Sequence, residues 1–131
     1  MIALDNLFRF STDFQLFSAG QTIFNQGDPG AVMYVVLDGQ VDILLGSQLV
    51  ETVDCGGILG ELSLIDNRPR AATAIAHSDV RLVPIDRERF TFMVDETPFF
   101  AAQVMEAIAQ RLRRMDAMAS QRLMPYDYSD G

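Results

Sequence analysis

A chain of 131 residues with 49% hydrophobic content has the size and apolar content of one globular domain. Its net charge of −8 disfavours binding to the DNA backbone or to an anionic membrane surface, and its single cysteine excludes an internal disulfide and fits a reducing, cytoplasmic compartment. No apolar run approaches the ~20 residues that span a membrane, and no charged-then-apolar leader opens the chain. We therefore expect no membrane segment and no signal peptide.

The first part of the chain predicts one short helix and then many short strands. Leu4, Leu7 and Phe8 have helical spacing within residues 1–13. Residues 14–86 consist of short apolar or alternating runs that are separated by turn residues. This pattern is typical of a small antiparallel barrel or jelly roll.

Turn residues divide this region into its predicted strands. Asp38-Gly39 follows the apolar run 35–37 and predicts a hairpin with the alternating segment 40–44. Gly46-Ser47 ends that segment, and a further strand runs from Leu49 to Val53. The last two predicted strands flank the turn at residues 77–79 and cover residues 71–76 and 80–85.

The end of the chain is predicted to be helical. Asp86 is a good N-cap for a short helix through Val94. Thr97-Pro98 then starts a long helix that runs to about Leu123, and Pro125 stops it. We expect one domain over residues 1–124 and a short tail over residues 125–131.

Apolar residues recur along the long helix in alternating steps of four and three, which is a heptad pattern. They can pack on the helix's own barrel, or the distal half can pair with a second copy and form a homodimer. Three arginines on the same helix, 111, 113 and 114, can lie over a pocket or face solvent, and we expect at least two to be solvated. The seam consists of Ala101, Met105, Ile108, Leu112, Met115 and Ala119.

Residues Gly60 to Thr73 read Gly-Glu-Leu-Ser-Leu-Ile-Asp-Asn-Arg-Pro-Arg-Ala-Ala-Thr and carry the most informative chemistry of the chain. Glu61 stands at the start of a predicted helical turn, where free backbone N–H groups suit an anion. Arg70, nine residues later, adds a planar fork of donors for a phosphate. An ionised Glu61 only accepts hydrogen bonds and therefore suits a hydroxyl. The alternative is that Glu61 and Arg70 pair with each other or with solvent.

This stretch resembles the phosphate-binding cassette of the cyclic nucleotide-binding domain family. The resemblance extends over roughly residues 14–115 and includes the segments Ile23–Asp28, Met33–Val41 and Val80–Phe90. It implies a mainly β fold, an antiparallel β-barrel or jelly roll (a double-stranded β-helix), with a short N-terminal helix and a long C-terminal helix.

The resemblance also implies a role for each cassette residue. Glu61 receives the ribose 2′-hydroxyl, and Arg70 contacts the exocyclic phosphate oxygens. Gly60 leaves room for the sugar-phosphate, and Ala71 stands where cGMP-selective relatives often have threonine or serine, which favours cAMP over cGMP. The implied ligand-binding residues, with backbone N–H groups completing the cradle, are Gly60, Glu61, Leu62, Ser63, Leu64, Arg70, Ala71 and Ala72.

A receptor is the function that these observations favour. No nucleophile forms a motif with His77, the single histidine, and one histidine cannot supply the several ligands of a metal site, so we expect neither an enzyme nor a metalloprotein. The chain ends after the long helix, where catabolite activator relatives carry a DNA-binding domain, so we expect a stand-alone cAMP receptor that signals through that helix to an unknown protein partner. The alternative is a non-catalytic interaction module of the same fold that has lost nucleotide binding.

Overall fold

The structure is a computed structural model that describes residues 4–123, except the side chains of residues 5, 6 and 120–123. The predicted tail, residues 125–131, lies outside this range. The elements in chain order are α1 (Asp5–Phe8), β1 (Gln15–Phe17), β2 (Thr22–Phe24), β3 (Val32–Asp38), β4 (Val41–Leu45), β5 (Gln48–Val53), β6 (Ile58–Leu59), α2 (Glu61–Asp66), β7 (Thr73–Ala76), β8 (Val80–Asp86), α3 (Arg87–Glu96) and α4 (Pro98–Leu123).

The strands form two four-stranded antiparallel sheets, in the orders β1-β8-β3-β6 and β2-β7-β4-β5. Successive strands often change sheet, as in a jelly roll. The predicted mainly β class, with a short first helix and a long last one, is confirmed.

The predicted hairpin at Asp38-Gly39 is wrong. Strand β3 pairs with β8 and β6, whereas β4 pairs with β5 and β7, so this turn carries the chain from one sheet to the other. A turn sequence indicates that the chain reverses direction, but it does not determine which strand the next segment pairs with. The turn at Gly46-Ser47 does close a hairpin, because Leu45 lies opposite Gln48 in the β4–β5 ladder.

Two apolar clusters hold the layers together, and β3 contributes to both. Met33, Val35 and Leu37 point toward the helices and join a cluster that includes Phe100 and Val104 of α4. Val36 points the other way, into the cluster between the two sheets. Burial of both faces explains why β3 has a continuous apolar sequence rather than an alternating one.

The helical end follows the predicted boundaries closely. The Asp86 carboxylate accepts a hydrogen bond from the Arg89 N–H at 2.8 Å and caps α3, which continues two residues beyond the predicted Val94. Helix α4 begins at Pro98, as predicted. Phe100 is fully buried in the cluster with Met33 and Val35 of β3, and its ring is edge-on to Phe90 of α3, at 5.9 Å between centroids. These contacts fix the start of α4 against α3 and the first sheet. Within residues 4–123, no helix has the length and apolar content to cross a bilayer.

Candidate functional site

Helix α2 begins at the point where β6 ends, and Gly60 forms the corner between them. Gly60 has φ +80°, a left-handed conformation that glycine adopts without steric cost. A Cβ on Gly60 would lie 2.6 Å from Nη1 of Arg70 and 3.2 Å from the Val32 carbonyl oxygen. The protein's own backbone and Arg70 therefore already require glycine here, before any ligand is considered.

Arg70 is a buried cation that contacts neutral groups. Its Nη1 donates to the Gly60 carbonyl at 3.0 Å and its Nη2 to the Val32 carbonyl at 2.7 Å, while the guanidinium lies 4.1 Å from the centre of the Phe24 ring. Its Nε is buried without a hydrogen-bond partner. Burial lowers the pKa of Arg70, an effect that the more distant Tyr34, Asp28 and Glu61 oppose. Among residues 4–123 no carboxylate forms an ion pair with Arg70, so its charge is available to an anion.

The backbone of Arg70 is held by the loop between β2 and β3. The Arg70 N–H donates to the Asp28 carbonyl at 2.7 Å, and the Arg70 carbonyl accepts from the Gly27 N–H at 2.8 Å. The guanidinium is thus anchored at both ends, by this loop and by the carbonyls of Gly60 and Val32. Anchoring of this kind prepares a binding group before its ligand arrives.

Glu61 is 1% exposed and pairs with Arg111 of α4, not with Arg70. The alternative that Glu61 and Arg70 pair with each other is therefore wrong. Arg111 Nη1 donates to a Glu61 oxygen, Nε donates to Glu51 of β5 at 2.5 Å, and Nη2 donates to the Ile58 carbonyl at 2.8 Å. One arginine of the last helix thus joins β5, β6 and the start of α2.

Sequence reasoning left the position of Arg111 open and missed Glu51 altogether. The signal for Arg111 is its spacing: it lies seven residues after the buried Val104 and three after Ile108, on the barrel-facing side of α4. Arg113 and Arg114 are exposed, as expected for two of the three arginines. Nothing in the sequence around Glu51 distinguishes it from other charged residues on strands.

The ionisation of Glu61 and Arg111 reflects both burial and pairing. Burial raises the pKa of Glu61, and the attraction of Arg111 offsets part of that rise. Burial lowers the pKa of Arg111, but Glu61 and Glu51 outweigh it and raise the pKa overall. The charge of Arg111 thus offsets part of the cost of burying Glu61, and the two carboxylates offset the cost of burying Arg111.

The cassette residues converge on one small cavity. Its free volume is about 30 Å³, enough for a water molecule and far below the ~300–1,000 Å³ typical of small-molecule sites. Leu64 is the one implied site residue that does not line it, because its side chain is fully buried in the core beneath the helices. The lining residues are Phe24, Ile43, Gly60, Glu61, Leu62, Ser63, Arg70, Ala71, Ala72, Arg111 and Met115.

The family model described as "Cyclic nucleotide-binding domain" matches residues 14–97, which is more than half of the chain. The chain belongs to the cyclic nucleotide-binding domain family. The cyclic AMP receptor protein of Thermus thermophilus is 34% identical over 107 residues, a match that covers 78% of this chain and 50% of that protein. The chain spans about half the length of the curated relatives that it matches.

Solved structures of the same family share the fold. The Thermus thermophilus catabolite activator protein has a TM-score of 0.69 at 32% identity, over 82% of this chain and 53% of that one. The structure of cAMP-bound PfPKA-R has a TM-score of 0.72 at 23% identity, over 81% of this chain and 36% of that one, and so supports the fold alone.

In this cyclic nucleotide-binding domain, the described residues of the cassette provide hydrogen-bond donors and one acceptor carboxylate. Arg70 and the first-turn N–H groups of α2 attract an anion, and the Glu61 carboxylate accepts hydrogen bonds. No group of three or more histidine, cysteine or acidic residues among residues 4–123 is placed to hold a metal ion.

Proposed function

We propose that this domain is a receptor for a 3′,5′-cyclic nucleotide, preferentially cAMP, which binds in the cassette at residues 60–72. The observation that carries the proposal is the surroundings of Arg70, a buried cation with only neutral partners and an unpartnered Nε. Such a charge is costly unless an anion compensates it, and a cyclic phosphate has the size and geometry for one arginine fork. Glu61 then accepts the ribose 2′-hydroxyl.

The preference for cAMP rests on Ala71. This residue is exposed, follows Arg70 directly and lines the cavity, and it has no hydroxyl that could bond a guanine amino group. A competition titration of cAMP against cGMP on the wild-type protein measures this preference, and a lower dissociation constant for cGMP would contradict it.

The output of the receptor is proposed to pass through α4 to a protein partner or a second copy. Arg111 and Met115, one turn apart on α4, both line the cavity. A bound nucleotide needs more space than about 30 Å³, so Arg111 and Met115 have to leave the cavity, and a movement of this part of α4 would take both out together. The ligand shifts the equilibrium between the two positions of α4 only by the difference between its affinities for them.

Calorimetry with cAMP on the wild type and on Arg70→Ala tests the binding function. Loss of a charge that meets a desolvated phosphate costs about 2–5 kcal/mol, so affinity should fall by roughly thirtyfold or more. Arg68→Ala is the matched control, because Arg68 is exposed and lies two residues away on the same loop. Equal affinities of the two variants would refute the site.

A specific observation also favours the second candidate, an interaction module that no longer binds nucleotides. The cassette cavity is small because Arg111 and Met115 of α4 reach into it. The same calorimetry separates the candidates, since this module shows no heat of binding with either cyclic nucleotide in the wild type.

A further inference from the structure

Glu51 is a largely buried carboxylate outside the cassette that accepts hydrogen bonds from two arginines of α4. Its Oε1 accepts from Arg111 Nε at 2.5 Å, and its Oε2 accepts from Arg114 Nη1 at 3.2 Å. The side chain of Glu51 is 12% exposed, and Glu51 lies opposite Ile43 in the β4–β5 ladder. The strand pairing fixes the backbone of Glu51 in the barrel, so the carboxylate can follow a movement of the helix only within the reach of its own side chain.

The distal half of α4 has few other attachments to the barrel. Val104, Ala107 and Ile108 pack on the apolar cluster, but residues 112–114, 116, 117 and 119 are exposed. A second cavity of about 260 Å³ lies between the helix and the β5–β6 region, and its lining includes Glu51, Gln110 and Arg114. The bonds of Arg111 and Arg114 therefore supply much of the contact that keeps this half of the helix in place.

We propose that Glu51 is a positioning residue that latches α4 over the nucleotide cassette and thereby lowers the apparent affinity of the domain for its ligand. This inference rests on the proposed function. Space for a nucleotide requires Arg111 and Met115 to withdraw from the cavity. A withdrawal by movement of α4 breaks both helix contacts of Glu51 as well as the Arg111–Glu61 pair. A domain whose competent state is only partly populated shows an affinity reduced by that fraction.

The test is the isosteric variant Glu51→Gln, measured in two ways on the full chain. Without any nucleotide, amide hydrogen exchange of residues 108–119 should become faster by about tenfold, because the latch no longer holds the helix. In calorimetry, cAMP should bind about tenfold more tightly. Glu106→Gln is the matched control, since it removes the same charge from an exposed side chain on the same helix that accepts a hydrogen bond from Gln110.

The combination of results decides between the latch and simpler explanations. Tighter binding with unchanged exchange would overturn the latch, because it would mean that Glu51 acts only by repelling the phosphate through space. The latch would also be overturned if Glu51→Gln bound cAMP no more tightly than the wild type and the Glu106→Gln control do. If the wild type binds no nucleotide, the proposed function fails, but faster exchange in Glu51→Gln still supports the latch and unchanged exchange still refutes it. Should Glu51→Gln not fold, Arg114→Gln removes one of the two helix contacts at a half-exposed side chain and should shift both measurements in the same direction.

Discussion

Arg70 and Arg111 are both buried arginines, but their surroundings give them different roles. Arg70 meets backbone carbonyls and an aromatic ring, and its charge is not matched by a carboxylate in the described part of the chain. Arg111 meets two carboxylates and is fully compensated within the protein. A cation of the first kind suits a ligand anion, whereas a cation of the second kind is part of the structure until something displaces it.

Loss of Arg111 should destabilise the protein in a pH-dependent way. Arg111→Gln leaves Glu61 as a buried carboxylate without its cation, at a cost of about 3–5 kcal/mol near neutral pH. The pKa of Glu61 is already raised by burial, and without Arg111 it rises further. A carboxyl with a higher pKa in the folded than in the unfolded chain takes up a proton on folding, so its stabilising contribution is present in acid and is lost as the pH rises through the folded pKa.

Urea unfolding of the wild type and of Arg111→Gln at several pH values between about 4.5 and 8 measures this effect. The stability difference should shrink toward acid pH. Arg113→Gln is the control because Arg113 is exposed on the same helix, and it should change stability little at any pH. Adding Glu61→Gln to Arg111→Gln should remove the pH dependence, and a difference that stays constant with pH would contradict the assignment of the effect to Glu61.

At the scale of elements, α4 divides the predicted heptad seam between two environments. Ile108 packs on the core beneath the helices and Met115 lines the cassette cavity, whereas Met105 and Leu112 are 65% and 52% exposed. The two exposed residues lie seven positions apart and therefore share one stripe on the outer face. This stripe is the part of the seam that is available for a second copy of the chain.

We expect Leu112→Asp to abolish self-association and leave the fold intact. Burial of Met105 and Leu112 between two helices would contribute about 1.5–3 kcal/mol for each side chain, and an aspartate in that position reverses the gain. Light scattering of the wild type should give twice the chain mass of 14.6 kDa, and the variant should give the single mass. Ala117→Asp is the control, because Ala117 is also exposed but lies off this stripe.

The opposite result is equally informative for the helix. A wild type that stays at 14.6 kDa with and without cAMP would remove the homodimer. The exposed stripe would then have no role in self-association, and the signal of α4 would have to reach a different protein.

The sequence predicts those parts of the molecule that depend on neighbouring residues. The cap at Asp86, the helix start at Pro98 and the helical turn that begins at Glu61 are local patterns, and the structure has each of these elements at the expected position. The partner of Glu61 could not be predicted, because Arg111 is 50 residues away and reaches it only through the packing of α4. The hairpin error at Asp38-Gly39 has the same origin, since β3 pairs with β6 and β8, which both lie further along the chain than the adjacent β4.

At the scale of the whole molecule, the net charge of the chain and the charge of the proposed binding site have opposite effects on an anionic ligand. The chain carries a net charge of −8, which repels a nucleotide that has one negative charge at neutral pH. In the proposed site, the buried Arg70 would attract the same phosphate at short range. Dissolved salt screens the long-range repulsion strongly, because the Debye length is about 10 Å at 0.1 M, but it screens a buried contact much less.

We therefore expect the affinity for cAMP to stay constant or to rise by up to a few fold as salt is raised from about 0.01 to 0.15 M. Proteins that hold nucleic acid through many exposed cations show the reverse, because each phosphate contact releases counterions and affinity falls steeply with salt. The net charge of −8 also disfavours contacts with the DNA backbone, so a gel-shift titration with duplex DNA at moderate salt and with cAMP present should show no complex. Calorimetry over the salt series measures the first part, with unfolding curves at each salt concentration to separate changes in stability from changes in binding. A steep loss of cAMP affinity with salt would mean that exposed arginines, and not the buried Arg70, supply most of the attraction.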